Sequence, residues 1–307
     1  MSSEESGGLG PLDWETLIGR IQDGKCTPFL GAGANYGLLP LGAEIADAWA
    51  HELKFPGGKT PGLEEISQFL AVQAADAVAP KDKISRLLRE RLARHSDAEL
   101  EQILSAPDNP LSLVADLPLP VYITTNYDDL IERALRTRGK DARQEVCRWN
   151  SKIRELPSAF DAPGGYRPTP DKPIVFHLHG SFDVADSLVL TEDDYLDFLV
   201  STSRHRILPP RIEEAMTGAS LLFLGYRLAD INFRMIFRGL VGALEGSLRR
   251  MNVSVQLPPP SQDKDSAAWQ EYMKKYFEAN HVRIFWGSAQ MFSTELRERL
   301  ERGRGGA

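Results

Sequence analysis

Four groups of residues able to do polar chemistry each stand directly behind a short apolar run. In "TPFLGAGAN", Gly31 and Gly33 have the spacing that lets a backbone approach an anion and offer it amide N–H groups. The same spacing serves a tight strand-to-helix turn that simply needs small residues, and the motif alone does not choose between the two. In "ITTNYDD", Thr125, Asn126 and Asp128 follow the next apolar run. Asn and Asp are favoured helix N-caps, but polar side chains at the C-terminal ends of parallel strands also face ligands. "VFHLHGS" holds His177 and His179, two apart and so on one face of a continuing strand. A His-x-His pair can ligate metal, yet the other histidines (51, 95, 205 and 281) lack companion ligand spacing. His179, just before Gly180, therefore reads as a general base or hydrogen-bonding group, against the plainer reading of a core histidine. "LLFLGYRLADINFR" repeats the design with Gly225 and Tyr226. There Asp230 and Asn232 open a polar helix start, Asp230 also serving as a simple N-cap, while Arg227 and Arg234 could pair with phosphate or with surface acids.

Six apolar runs must position these groups: 27–31, 120–125, 173–179, 220–225, 252–257 and 282–286. They are β-branched and aromatic and apolar on both parities, as strands covered on both faces of a parallel sheet are. Amphipathic helical patterns lie between them, clearest in "LGAEIADAWAHEL", "YDDLIERALRT", "TEDDYLDFLV", "INFRMIFRGLVGAL" and "AAWQEYMKKYFEA". The alternation predicts an α/β fold, a Rossmann-like parallel sheet of about six strands flanked by helices. In such a sheet the four strand ends share one edge, so their polar groups can converge on one ligand. The interval from Gly31 to Pro120 is too long for one crossover and predicts a helical insertion over about 55–115. "ARQEVCRW" is a candidate extra strand, and "DAPGGYRPTPDKP" a Pro/Gly-rich loop of the kind that borders sites.

Two nucleotide motifs are imitated without being complete. "FPGGKT" imitates the end of a phosphate-binding P-loop, but the first glycine would fall at Leu53, no strand precedes it and Pro61-Gly62 breaks the helix that should follow. The dinucleotide-reductase fingerprint requires a glycine at Tyr36 and an acidic residue ending a second strand about twenty residues on, and both are missing.

With 307 residues, 42% hydrophobic and 26% charged, the chain reads as one globular domain over 11–302, with disordered ends at 1–10 and 303–307. A net charge of −7 gives no basic footprint for nucleic acid, and the arginines of "RLLRERLAR" read as the solvated face of a helix. Two cysteines, Cys26 and Cys147, cannot build a structural zinc site, which takes about four Cys or His ligands, and read as buried thiols of a reducing cytosol. No signal peptide or run of about 18 apolar residues is present, so a cytoplasmic protein without membrane contact is expected.

Taken together, "GAGAN", "TTNYDDLIERAL", "HLHGS" and "FLGYRLADINFR" resemble the motifs of the sirtuin-like family in its bacterial NAD-hydrolase branch, and "VLTEDDYLDFL" and "VRIFWGS" recur there. The resemblance runs in order from about Thr27 to Leu300. It implies that Gly31, Ala32 and Gly33 approach the NAD+ pyrophosphate, with Ala34, Asn35 and Thr125 in the same binding set. It further implies Asn126 beside the nicotinamide ribose, Asp128 near the nicotinamide end, His179 as the catalytic histidine, and Gly225 and Tyr226 at the adenosine ribose. NAD+ would then be a substrate, cleaved to nicotinamide and ADP-ribose in antiphage defence. A homo-oligomer, or a partner such as a HerA-type ATPase or an Argonaute-type protein, would hold the activity in check. Sirtuin deacylases carry four zinc cysteines and a Pro-Asp-Phe-Arg segment after the glycine loop; this chain has neither, so no zinc module and water rather than acyl-lysine as acceptor are expected. A sensor module that binds NAD+ or ADP-ribose without turnover, an NAD-dependent deacylase or ADP-ribosyl transferase, and, more remotely, a dehydrogenase are the competing readings.

Overall fold

The computed structural model describes residues 8–35, 37–56, 58, 60–161, 163–204, 207–227, 250–258 and 266–304. The expected helix "INFRMIFRGLVGAL", with Asp230, Asn232 and Arg234, lies outside them, as do Tyr36, Lys59, Ala162 and most of both expected tails. Leu9, within the expected N-terminal tail, is described and buried.

Seven strands form one parallel sheet: β1 (Cys26–Leu30), β2 (Val121–Thr124), β3 (Arg143–Val146), β4 (Ile174–His177), β5 (Ser220–Leu224), β6 (Asn252–Gln256) and β7 (Val282–Trp286). Their spatial order is β3-β4-β2-β1-β5-β6-β7. The seventh strand is β3, the candidate within "ARQEVCRW". It lies at the edge and is only partly buried, which is why its sequence carries a weaker apolar signal than the others. The chain runs outward from β1 through β2 to the edge strand β3, steps back to β4 between β3 and β2, then crosses to the other side of β1 with β5. That reversal makes the C-terminal ends of β1 and its neighbours the natural ligand crevice of an open α/β sheet.

The strands are apolar on both parities because each face meets its own core. Leu30, Tyr122, Val175, Leu222 and Leu224 point into one core with Trp14, Ala46, Leu104 and Phe292. Their chain neighbours Phe29, Ile123, Phe176, Leu221 and Phe223 point into the other with Phe198, Ile212, Met216 and Phe277. Each fully buried side chain of this size contributes about 1.5–3 kcal/mol of transfer free energy. Alternation with a period of two thus holds along every central strand, hidden in the sequence because both faces are apolar.

The first core is covered by α1 (Pro11–Gln22), α2 (Gly42–Glu52) and a run of helices, α3 (Leu63–Ala74), α4 (Ala79–Leu92), α5 (Asp97–Ser105) and α6 (Pro110–Asp116), then α7 (Leu130–Thr137). Local chemistry sets their bounds: Ser96 and Glu99 form a capping box before α5, and Asn109 caps α6 ahead of Pro110 at its first position. The described residues of the P-loop imitation lie outside any helix or strand, between the end of α2 and the start of α3. The exposed arginines 86, 89, 91 and 94 lie along α4 and its end. The second core is covered by α8 (Glu192–Arg204), α9 (Pro210–Gly218) and α10 (Ser266–Glu278), while α11 (Ala289–Arg304) closes the first. No helix of the described residues is long and apolar enough to cross a membrane.

Candidate functional site

The glycine loop and the turn after β5 interlock. Gly31 donates its amide to Leu224 O at 2.8 Å, Gly33 to Gly225 O at 2.9 Å, and Ala34 back to Gly31 O at 2.9 Å. These three amides, expected from the sequence to face an anion, are therefore taken by protein carbonyls. Glycine is required by close approach: a Cβ at Gly33 would lie 2.9 Å from Gly225 Cα, and one at Gly31 would lie 2.9 Å from Gly225 O and from the Tyr226 ring. The residues Ala32–Asn35 form one short 3-10 turn whose last member, Asn35, is buried.

Leu30 O gathers the neighbouring strand ends. It accepts from Thr125 N at 3.0 Å, Thr124 Oγ1 at 3.3 Å and the Tyr226 hydroxyl at 2.9 Å. With the single phenolic hydrogen placed there, Thr125 Oγ1 donates to Tyr226 at 2.8 Å. The Tyr226 ring packs on Phe29 and Phe223, and burial pushes its hydroxyl pKa up. Arg227, next in the chain, is exposed.

Asn126 sits between the loops. Its amide donates to Thr124 Oγ1 at 3.0 Å and its Nδ2 to Gly31 O at 3.2 Å. A carbonyl can only accept, so the carboxamide nitrogen must face Gly31 and the oxygen Oδ1 is turned away. Asp128 stands one residue before the N-cap of α7, Asp129, and its Oδ1 accepts from Leu130 N, the first amide of the helix, at 3.1 Å. Its other oxygen accepts from Asn35 Nδ2 at 2.7 Å, joining the glycine loop to the β2 turn inside the protein. Burial raises the Asp128 carboxyl to about 6, the nearby Glu132 and Asp129 charges adding to this against the Leu130 amide and His177.

The two histidines part company. The sequence placed both on one face of a strand, but β4 ends at His177 and the period ends with it. His177 lies on the first-core side, Nε2 2.6 Å from Glu132 Oε1 of α7 and Nδ1 3.1 Å from Asn126 O. Burial alone would lower its pKa, and the Glu132 carboxylate, by charge and hydrogen bond, outweighs that and raises it. His179 lies against the second core, its ring edge-on to Tyr195 and Phe198 of α8. It is 3% exposed, and Nε2 has no hydrogen-bond partner among the described residues. Burial lowers its pKa to about 3, so the imidazole is neutral at physiological pH. Gly180 then turns the chain at φ +83°, where a Cβ would meet Ser187 O at 2.2 Å.

Helix α8, which boxes His179, is pinned to the helical run by a buried ion pair. Lys81 Nζ of α4 lies 2.8 Å from Asp194 Oδ1, while Asp194 Oδ2 accepts from Leu190 N and Thr191 N at 3.1 and 3.0 Å. Sequence reasoning missed Asn35–Asp128 as a pair, Glu132 as the partner of His177, and Lys81–Asp194. Two surface hollows lie away from the glycine loop, one of about 260 Å³ beside Asp13 and Trp286, the other of about 360 Å³ beside Arg136 and Lys140. Cys26 and Cys147 are free and buried, which pushes the Cys26 thiol up to about 12.

The β2, β4 and β5 strand ends fall within a recognised family pattern, and β1 with its glycine loop precedes it. The family model described as "SIR2-like domain" matches residues 120–284, more than half of the chain. The chain belongs to the SIR2-like family. The chain is similar to several curated proteins named NAD(+) hydrolase ThsA. The one from Enterococcus faecium is 26% identical over 243 residues, 78% of this chain and 45% of its own length. That from Bacillus cereus (strain MSX-D12) is 24% identical over 236 residues, 75% of this chain and 43% of its own. That from Acinetobacter baumannii (strain 532279) is 28% identical over 125 residues, 40% of this chain and 22% of its own. The chain thus spans less than half the length of these relatives. In an open α/β sheet of this topology, the crevice at the C-terminal ends of β1, β2 and β5 is where ligands bind.

Proposed function

We propose that this chain is an NAD+ glycohydrolase that cleaves NAD+ to nicotinamide and ADP-ribose. The observation that carries the reading is the convergence of Gly31, Asn126, Asp128 and Tyr226 on one hydrogen-bonded knot at the β1, β2 and β5 strand ends, with the orphaned His179 Nε2 one strand over. The SIR2-like membership and the names of the relatives support it. Nicotinamide leaves from NAD+ as a neutral molecule without prior protonation, so the barrier is the oxocarbenium-like ribose. Asn126 Oδ1 holds a ribose hydroxyl or the attacking water. His179, neutral and with an unmet nitrogen, is suited to bonding a ribose hydroxyl more than to removing a proton, because a base of such low pKa is weak near neutrality. An unmet buried polar atom costs about 1–3 kcal/mol, which a ligand hydroxyl would return.

Loss of NAD+ harms the cell that makes the enzyme, so we infer an antiphage effector in the cytoplasm whose activity is gated. A second copy of the chain or a partner such as a HerA-type ATPase or an Argonaute-type protein supplies the gate, with no direct role for nucleic acid, membrane or zinc. The amides already taken in the glycine loop favour one further reading, a sensor that binds NAD+ without turnover. Chromatography of NAD+ incubated with the protein, alone and with the product of the neighbouring gene, separates them: nicotinamide supports the hydrolase, whereas saturable binding with intact NAD+ supports the sensor. Consumption only with an acylated or acceptor peptide would move the assignment to a deacylase or transferase.

A further inference from the structure

We propose that the buried His177–Glu132 pair is a positioning device for Asn126. It rests on the reading of Asn126 as a ligand-facing residue. His177 donates from Nδ1 to Asn126 O at 3.1 Å, and Glu132 Oε1 holds the opposite nitrogen at 2.6 Å. The Asn126 carbonyl cannot donate, so Nδ1 must carry a hydrogen; the one proton between Nε2 and Glu132 is shared. Glu132 thereby selects the form of the ring that can reach Asn126. In register, His177 stands beside Thr124, and Thr124 Oγ1 accepts the Asn126 amide. Backbone N–H, backbone C=O and side-chain Nδ2 of Asn126 are thus each fixed, by Thr124, His177 and Gly31. The freedom left to the residue is Oδ1, aimed away from the loops.

Stability is a poor explanation for the pair. His177 is fully buried and Glu132 is 7% exposed, and taking two ionisable groups out of water returns little net free energy even when they meet well. An apolar pair would fill the same space, but nothing apolar could hold the Asn126 carbonyl. A second-layer group that fixes the aim of a ligand-facing side chain gives an ionisable pair a reason to be there. The second oxygen of Glu132 has no partner among the described residues, so the carboxylate is committed to the histidine alone.

Four variants test this. His177→Asn keeps a donor near the Nδ1 position, His177→Leu removes it, and both leave Glu132 without its partner, so both lose similar stability. Glu132→Gln can donate to Nε2 and so keeps the ring held from its far side with Nδ1–H toward the carbonyl, whereas Glu132→Leu leaves Nε2 unheld, so the ring loses the partner that fixes its angle to the Asn126 carbonyl. In NAD+ cleavage, kcat per folded molecule should fall about 10–100-fold in His177→Leu and Glu132→Leu, with KM moving less, and stay close to wild type in His177→Asn and Glu132→Gln. Equal kcat in His177→Leu and His177→Asn overturns the proposal. The ring nitrogens of His177 by ¹⁵N NMR in the wild-type protein give a reading that needs neither variant nor turnover: a protonated Nδ1 is expected, and a bare Nδ1 overturns it. If wild-type protein leaves NAD+ intact, the hydrolase reading falls while the Asn126 side-chain amide resonances still decide the pair, displaced in His177→Leu if it positions Asn126 and unmoved if it does not.

Discussion

Alanine at Gly225 would drive a methyl group into backbone on the far side of the site's central interlock. The position has φ +81°, and the added Cβ would stand 2.3 Å from Ala34 N, 2.5 Å from Gly31 O and 2.9 Å from Gly33 C. Two penalties add: about 1–2 kcal/mol for a left-handed non-glycine residue and about 1–3 kcal/mol for overpacking. The second can be relieved only by moving the β5 turn off the glycine loop, which breaks Gly33 N–H to Gly225 O. Gly139→Ala is the matched control, with φ +71° but no atom within 4 Å of the added Cβ. The gap between the two variants, about 1–3 kcal/mol, should appear in thermal scanning as about 2–12 °C in melting midpoint. Isothermal titration should show weaker NAD+ binding for Gly225→Ala and wild-type binding for Gly139→Ala. Equal midpoints together with equal NAD+ affinities would refute the interlock as the frame of the site.

Asp128→Asn removes a carboxyl that burial holds at about 6. A folded pKa above the unfolded value of about 3.9 means the native state binds the extra proton between these values, so wild-type stability falls as pH rises through that window. The variant should therefore gain on wild type between pH 4 and pH 8 by on the order of 1–3 kcal/mol, read from denaturant midpoints; a pH-independent difference would contradict the buried acid. Lys81→Ala strands Asp194 in a site where the two side chains are 9% and 13% exposed, and should destabilise by about 3–5 kcal/mol, with hydrogen exchange accelerated in α8. A loss below about 1 kcal/mol would make the pair an ordinary surface contact.

The sheet was legible because five of its strands are buried throughout, and the edge strand β7 interrupts its apolar run only at the exposed Arg283. The edge strand β3 was only a candidate, since Arg143 is exposed and Gln144 half-buried, as edge positions allow. The site's loops were legible from residue type: Gly31, Gly33 and Gly225 are where backbones touch, and Asp128, read as a helix-start residue, takes the first amide of α7 from one place before the N-cap. What the sequence does not display is pairing across distance. Asn35 and Asp128 are 93 positions apart, and His177 and Glu132 are 45 apart. Glu132 reads as an ordinary helix surface residue until α7 is laid on the first core. The two histidines looked equivalent because strand periodicity was extended past His177, where Gly180 bends the chain. The choice between anion-facing amides and a tight turn was hidden for a related reason, since the carbonyls that take Gly31 N and Gly33 N, Leu224 O and Gly225 O, lie almost two hundred residues on.

The account stands or falls on release of nicotinamide from NAD+ by the purified chain, with and without the product of the neighbouring gene, compared with Asn126→Ala and His179→Ala proteins shown to be folded. It predicts equimolar nicotinamide and ADP-ribose from the wild-type protein in at least one of these conditions, with a fall of at least about 100-fold in Asn126→Ala. Intact NAD+ in every condition, or full activity in both variants, would contradict it.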